Sequence, residues 1–255
     1  MAAPRFDGKV VLVTGASQGM GKTIAKHLSS LGARVAVNDR LMDERLADLA
    51  KEIGGYPAPA DLANWGEIDA MIDDVTQNFG VIDVLVANHA YMTMQDFLSY
   101  DSQDWWKVVD TNLGGTFHLI QKVVPGMRSN GAGRIVVTSS IWGVTGWPRA
   151  TAYSASKAGL ISMVKTLGRE LAGEGIIINA IAPGITDTPQ LQVDADSEGV
   201  QLDEIHKIYA KAIPLGRIGK PIEIAKVVAF LADFNLSSVV GQTVQANGGE
   251  VRSRV

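Results

Sequence analysis

Short apolar, β-rich runs alternate along the chain with longer segments in which apolar residues recur at helical spacing. The runs are Val10–Val13, Arg34–Val37, Val81–Ala87, Arg134–Thr138, Ile176–Ile181 and Gln242–Gln245. This alternation predicts an α/β fold, a doubly wound parallel sheet with helices on both faces. Val84-Leu85-Val86-Ala87 and Ile135-Val136-Val137 are apolar at consecutive positions, as strands covered on both faces must be. Tyr56-Pro57-Ala58-Pro59-Ala60 is a poorer strand, because its prolines cannot donate to a ladder, and it is assigned to a sheet edge.

A stripe of Trp105, Val108, Val109, Leu113, Thr116, Phe117, Ile120 and Val124 predicts a buried helix face, and Asn112 falls inside it. A buried amide needs partners. The adjacent Gly114-Gly115 weakens the same helix and points to a kink near a functional site. No repeat or Gly/Ser linker divides the chain, so residues 1–255 are read as one domain. The least regular stretch, Ile185–Gly219, contains a polar run at 194–199 and a short helix over Leu202–Lys211, and its length suggests a substrate lid.

Composition narrows the function classes. With 255 residues, 46% hydrophobic and 20% charged, one domain can bury a large core. A net charge of -4 offers no basic footprint, so neither nucleic acid nor a membrane surface is an expected partner. Cysteine is absent, which removes disulfide and thiolate chemistry. His27, His89, His118 and His206 lie far apart, and no metal is expected. Neither a signal-peptide pattern near Met1 nor an apolar run of membrane-spanning length is seen, so a cytoplasmic location is expected.

The chemistry is carried by three groups of residues. Thr14-Gly15-Ala16-Ser17-Gln18-Gly19-Met20-Gly21 follows the first strand and opens a helix, so backbone can approach a pyrophosphate at the helix N-terminus. Taken alone it is also readable as a tight strand-to-helix turn. Asp39 ends the second strand, 24 residues beyond Gly15, where a carboxylate can accept the hydroxyls of an adenosine ribose. Tyr153 and Lys157 stand one helical turn apart, and a cation near a phenol favours the phenolate; a solvated helix face is the plainer alternative. Ser140 lies 13 residues before Tyr153 at a strand end, where its hydroxyl can polarise a substrate carbonyl or simply serve a turn.

Together, Thr14-Gly-x-x-x-Gly-x-Gly21, Asp61-Leu62, Asn112, Ser140, Tyr153-x-x-x-Lys157 and Pro183-Gly184-x-x-x-Thr188 resemble the short-chain dehydrogenase/reductase family from Gly8 to Gly249. The resemblance implies a Rossmann-like sheet of about seven strands in the order 3-2-1-4-5-6-7. It implies that Tyr153 is the acid/base, Ser140 orients the substrate oxygen, Lys157 binds the nicotinamide ribose and lowers the tyrosine pKa, and Asn112 holds a proton-relay water. Cofactor contacts are implied for Gly15, Ser17, Gln18, Gly19, Met20, Gly21, Asp39, Asp61, Leu62, Asn88, Tyr153, Lys157, Pro183, Gly184, Thr186 and Thr188. Two departures stand out: Ala87-Asn88-His89-Ala90 replaces Asn-Asn-Ala-Gly, with His89 read as filling a site behind the direct contacts in preference to touching substrate, and Asn247-Gly248-Gly249 replaces Asp-Gly-Gly.

The expected activity is hydride transfer between NAD(H) and a secondary alcohol or ketone, medium-sized and apolar or aromatic. Tyr91, Met92, Met94, Trp142, Val144, Trp147, Leu191 and Val193 fall where the family builds its pocket, with Ser140 and Tyr153 at its floor. The alternatives are a 3-oxoacyl-thioester reductase of the same family and a dinucleotide sensor without turnover. NAD is preferred over NADP because Asp39 would repel a 2′-phosphate by ~4 kcal/mol per unit charge at ~4 Å and a dielectric of about 20. Gln18 offers no cation in the glycine turn, although Arg40 could bind the phosphate. The resemblance also implies a homotetramer, built on the Trp105–Val124 and Tyr153–Leu171 helices and the C-terminal strand, with Val251–Val255 near a neighbouring subunit.

Overall fold

The computed structural model describes residues 6–251. Seven strands form one sheet in the order β3-β2-β1-β4-β5-β6-β7, with every neighbouring pair parallel. They are β1 (Val10–Val13), β2 (Arg34–Val37), β3 (Tyr56–Pro57), β4 (Val84–Ala87), β5 (Gly133–Thr138), β6 (Ile176–Pro183) and β7 (Thr243–Ala246). The helices are α1 (Gly19–Ser30), α2 (Glu44–Ile53), α3 (Trp65–Asn78), α4 (Ser102–Val109), α5 (Gly115–Ser129), α6 (Trp142–Thr145), α7 (Thr151–Leu171), α8 (Gln190–Glu198), α9 (Leu202–Ala212) and α10 (Pro221–Leu231). None of those described is long and apolar enough to cross a membrane.

Strand geometry divides the core in two, because successive side chains point to opposite faces. Val10 and Leu12 pack with residues of α3, α5 and α7, whereas Val11 and Val13 pack with residues of α1, α2 and α10. The expected order and the edge position of the third strand are both observed. Its prolines explain the edge: Ala58 and Ala60 donate backbone bonds to Val37 and Asp39 at 2.9 and 3.0 Å, so Pro57 and Pro59 fall at alternate positions that need no donor.

Two segments differ from the sequence reading. The long helical stripe is broken by one π-helical turn, Asp110–Gly114, between α4 and α5. Its extra residue rotates the start of α5, so Phe117 is 43% exposed while His118 and Leu119 turn inward. The segment 185–219 contains two helices rather than one. The polar run at 194–199 lies largely within α8, where Gln190 and Gln192 donate to Asp194 and Asp196 at 3.1 and 2.8 Å, and Gly199 ends the helix in the left-handed region. Leu191, Ile213 and Ile218 give this segment a small core of its own.

The chain leaves β1 toward β2 and later returns to lay β4 on the other side of β1. Ligands of such sheets bind in the crevice at the carboxyl ends of the strands beside this reversal. The glycine turn, Asn88, Ser140 and Gly184 all lie just beyond strands at that edge.

Candidate active site

Sterics fix the glycine turn. Gly15 has φ +61° and Gly19 φ +55°, a backbone region that favours glycine. A Cβ on Gly15 would sit 2.8 Å from the Cα of His89, and one on Gly21 would sit 2.0 Å from the Gly15 carbonyl oxygen. Glycine at these positions therefore lets the turn touch both the segment after β4 and its own helix. Gly19 instead faces Thr188, whose Cβ is 3.5 Å from where a Gly19 Cβ would be, so the turn and the 184–189 segment form facing walls. Met20 packs against the core, while Gln18 is exposed.

Polar side chains hold the turn in place. Ser17 donates to Asp39 Oδ2 through its backbone N and its hydroxyl at 3.1 and 2.5 Å, and Arg40 N donates to Oδ1 at 2.8 Å. Asn88 Nδ2 donates to the carbonyls of Thr14 and Gly15 at 3.1 and 3.3 Å. The Thr14 hydroxyl accepts the N–H groups of Asn88 and His89 at 3.0 and 3.2 Å and lies 2.8 Å from His89 Nδ1. His89 Nε2 is 3.1 Å from the Thr111 carbonyl, which can only accept, so that nitrogen carries the proton and Nδ1 accepts. Burial holds the imidazole neutral, with its pKa down to about 3. His89 thus struts the glycine turn against the π turn, and the change from the family pattern at this position is absorbed by packing.

At the opposite end of the crevice, Lys157 is buried, and its Nζ donates to the Thr138 carbonyl at 2.8 Å and stands 5.6 Å from the centre of the Tyr153 ring. Burial in this apolar setting pushes its pKa down to about 7. Burial also raises the Tyr153 pKa, opposed by a hydrogen bond from Ser140 that favours the phenolate. The sequence reading expected the lysine to lower this pKa; here burial is the larger effect and Ser140 is the group that favours the anion. Ser140 Oγ accepts Trp142 N at 3.1 Å, and Ser139 Oγ donates to the Lys157 carbonyl at 2.8 Å. A Cβ on Gly143 would lie 2.7 Å from the carbonyl carbon of Lys157, so α6 rests directly on α7 and fixes Ser140 relative to Tyr153.

Asn112, fully buried as its stripe predicts, spends its amide on other partners. Its Oδ1 accepts Tyr91 N at 2.7 Å, and its Nδ2 donates to the Tyr91 carbonyl and Ser156 Oγ at 2.9 and 3.1 Å. The side chain clamps the loop after β4 instead of presenting a free donor. The Ser156 contact joins it to α7, three residues beyond Tyr153.

The remaining expected positions divide. Trp142 stacks on Trp147 at 5.1 Å and meets Tyr153 edge-on at 5.8 Å, giving the phenol an aromatic wall. Tyr91, Met92, Met94 and Val144 are half-buried. Leu191 packs in the small cluster with Ile213 and Ile218, which argues against a lining role, and Val193 is exposed. Asp61 Oδ1 accepts Ala63 N at 3.0 Å, and the Leu62 side chain lies in the main core. Thr186 donates to the Gly184 carbonyl at 3.0 Å, and the Pro183 carbonyl accepts Ile141 N at 3.0 Å. Residues 252–255, expected near a neighbouring subunit, lie outside the described residues.

Sequence reasoning missed Arg45. Its Nη1 donates to Gln18 Oε1 at 3.1 Å, while Nε and Nη2 hold Asp43 Oδ2 at 2.8 and 2.6 Å. No spacing rule would have paired it with the glycine turn.

These residues fit a nicotinamide dinucleotide. The glycine turn opens the N-terminus of α1, Asp39 lies at one end, and the buried Lys157 ammonium has one acceptor among the described residues and two further protons to offer. Fold and site define a dinucleotide-dependent oxidoreductase built on a doubly wound sheet. A model of the family described as enoyl-(acyl carrier protein) reductase matches residues 15–250. The 3-oxoacyl-(acyl-carrier-protein) reductase FabG of Thermotoga maritima is 40% identical over 97% of this chain and 99% of its own. The structure of L-sorbose reductase from Gluconobacter frateurii, complexed with NADPH and L-sorbose, superposes with a TM-score of 0.91 at 26% identity over 99% of this chain and 100% of that one. A ribose-5-phosphate isomerase structure from Brucella melitensis gives a TM-score of 0.89 at 29% identity over 98% and 94%. The chain belongs to the short-chain dehydrogenase/reductase family.

Proposed function

We propose that this chain reduces the 3-oxo group of a 3-oxoacyl thioester, using a reduced nicotinamide dinucleotide, and catalyses the reverse oxidation as pH rises. The observation that carries the chemistry is the buried Tyr153 phenol, whose anion Ser140 favours, with the Lys157 ammonium 5.6 Å from its ring. The substrate class is supported by 40% identity, over nearly the full length of both chains, to a 3-oxoacyl-(acyl-carrier-protein) reductase. That relationship favours the thioester over the simple ketone suggested by the pocket residues alone.

When bound, a reduced dinucleotide would supply the hydride for the new C–H bond at the carbonyl carbon. Ser140 donates a hydrogen bond to the carbonyl oxygen, which gathers charge as the bond forms. Tyr153 gives that oxygen its proton, leaving a phenolate. Lys157, fixed by Thr138, stabilises the phenolate and would direct its other N–H groups to ribose hydroxyls. Asn112 holds the Tyr91 loop as the rim of the pocket. Asp39 would accept the ribose hydroxyls and favour NAD, while Ser17, Gly15, Gly19 and Gly21 would cradle the pyrophosphate.

A second reading, a medium-sized aryl or alkyl ketone, is favoured by the Trp142–Trp147 stack beside Tyr153. A homotetramer is proposed on the family pattern, supported by the exposed Trp106 and Phe117 on the α4–α5 segment. Light scattering at micromolar concentration that gave a monomer would exclude it.

The experiment for the activity is a matched panel of acetoacetyl thioesters, aryl ketones, alkyl ketones and polyols with NADH and NADPH. The thioester is expected to give the highest kcat/KM. Aryl ketones leading would transfer the assignment to the second reading, and polyols leading would contradict both. Dinucleotide binding without turnover of any class would mark a sensor.

A further inference from the structure

We propose that His89 is a positioning residue through which a dinucleotide in the glycine turn orders the substrate rim at Tyr91. The inference rests on the reading of the glycine turn as a dinucleotide site. It begins at the π turn, where Gly115 N donates to the Asp110 carbonyl, five residues back, and passes over the Thr111 carbonyl that an α-helix would give it. The His89 ring stands at that bypassed carbonyl, with Nε2 at 3.1 Å. Alanine, the residue of the family pattern at this place, has no donor to offer there. The other ring nitrogen, Nδ1, takes the Thr14 hydroxyl at 2.8 Å. The backbone is as close, since a Cβ on Gly15 would lie 2.8 Å from the His89 Cα. One side chain thus spans from the start of the glycine turn to the π turn.

From the π turn the bonds continue to the rim. The Thr116 hydroxyl donates to the Asn112 carbonyl at 2.7 Å and lies 3.4 Å from His89 Nε2. Asn112 then holds Tyr91 from both sides, accepting its N–H at 2.7 Å and donating to its carbonyl at 2.9 Å. Thr14, His89, Asn112 and Thr116 are all buried, so a bond broken among them finds no water to replace it. A glycine turn that shifted without His89 would lose the Thr14 bond, and one that carried His89 along would lose the Thr111 bond. The turn, the π turn and the rim therefore move together, and a ligand that stills the first also stills the last. By linkage, a ligand held at the rim strengthens dinucleotide binding by the same factor.

The test is amide hydrogen exchange at Tyr91, whose N–H is closed by Asn112, without ligand and with saturating NAD or NADP. In the wild type the dinucleotide should slow this exchange by about tenfold, an ordinary coupling between two sites. His89→Leu fills the same space and makes neither bond, and the slowing should fall below about twofold. His89→Gln offers an acceptor and a donor and should keep more of the effect than leucine does. His89→Ala repeats the measurement should the leucine variant not fold. A merely structural His89 would speed exchange in the free and bound protein alike and leave their ratio unchanged. Equal ratios in the wild type and His89→Leu would overturn the proposal, as would a wild-type ratio near one or equal losses in the leucine and glutamine variants. A wild-type chain that bound neither NAD nor NADP would refute the dinucleotide reading itself.

Discussion

Lys157 stands one turn below Tyr153 on α7, its ammonium 5.6 Å from the centre of the phenol ring and tied to the end of β5 through the Thr138 carbonyl. The pair is therefore positioned by the sheet as well as by the helix. Burial penalises both charged forms, pulling the lysine down to about 7 and pushing the tyrosine up.

This burial should appear in stability as a function of pH. The folded lysine titrates near 7, whereas an unfolded lysine titrates near 10.5. Between those values the unfolded chain binds more protons, so stability should rise with pH from about 7 upward, by at most about 1.4 kcal/mol per pH unit from this group. Urea midpoints at pH 7 and 9, below the tyrosine titration, should diverge in the wild type. In Lys157→Met this contribution to the difference should vanish; an unchanged slope would mean that the ammonium is not desolvated.

The Ser140 hydroxyl favours the Tyr153 phenolate, and its removal should shift the tyrosine titration further up. Ser140→Ala should therefore move the alkaline rise in the oxidation rate to higher pH, and lower kcat by about 10²-fold because a donor to the developing oxyanion is lost. A pH–rate profile of the variant measures both effects. An unshifted profile with an intact rate would separate Ser140 from the reacting oxygen.

Much of this arrangement was legible in the chain. Consecutive apolar residues in β4 and β5 identified central strands, and Pro57 with Pro59 identified the edge. Tyr153, Lys157 and Ser140 could be paired because helical spacing and a strand end bring them together locally. What escaped depends on contacts across the fold. The phase of α5 is set by the π turn, since its one extra residue defeats a regular periodicity and puts Phe117 outside. The helix α8 is polar along most of its length and is held by Gln–Asp pairs and a glycine cap rather than by an apolar stripe. Arg45 meets Gln18 only because α2 and the glycine turn lie side by side.

Gly21 tests the steric account of the turn. Its added Cβ would lie 2.0 Å from the Gly15 carbonyl oxygen, a backbone atom that no rotamer change can move aside. Gly21→Ala should cost on the order of 1–3 kcal/mol and weaken dinucleotide binding, because α1 must shift away from the turn. Thermal unfolding with a binding titration checks this; wild-type behaviour in both would contradict the packing.

Asn112 should behave as a positioning residue. Asn112→Ala leaves the Tyr91 N–H and carbonyl without their partner, at about 1–3 kcal/mol for buried groups. The freed loop should raise KM for the substrate more than it changes cofactor affinity. Steady-state kinetics beside fluorescence titration of the dinucleotide distinguishes this from loss of a proton-relay group, which would lower kcat with KM intact.

The central claim, that Tyr153 exchanges the proton, is tested most directly by single-turnover reduction of an acetoacetyl thioester by Tyr153→Phe saturated with reduced dinucleotide. Removing one oxygen keeps the ring that packs on Trp142 and leaves Lys157 anchored to Thr138. The account predicts a loss of about 10²–10⁴-fold in the rate of hydride transfer, with dinucleotide affinity unchanged. A rate within a few-fold of wild type would contradict it.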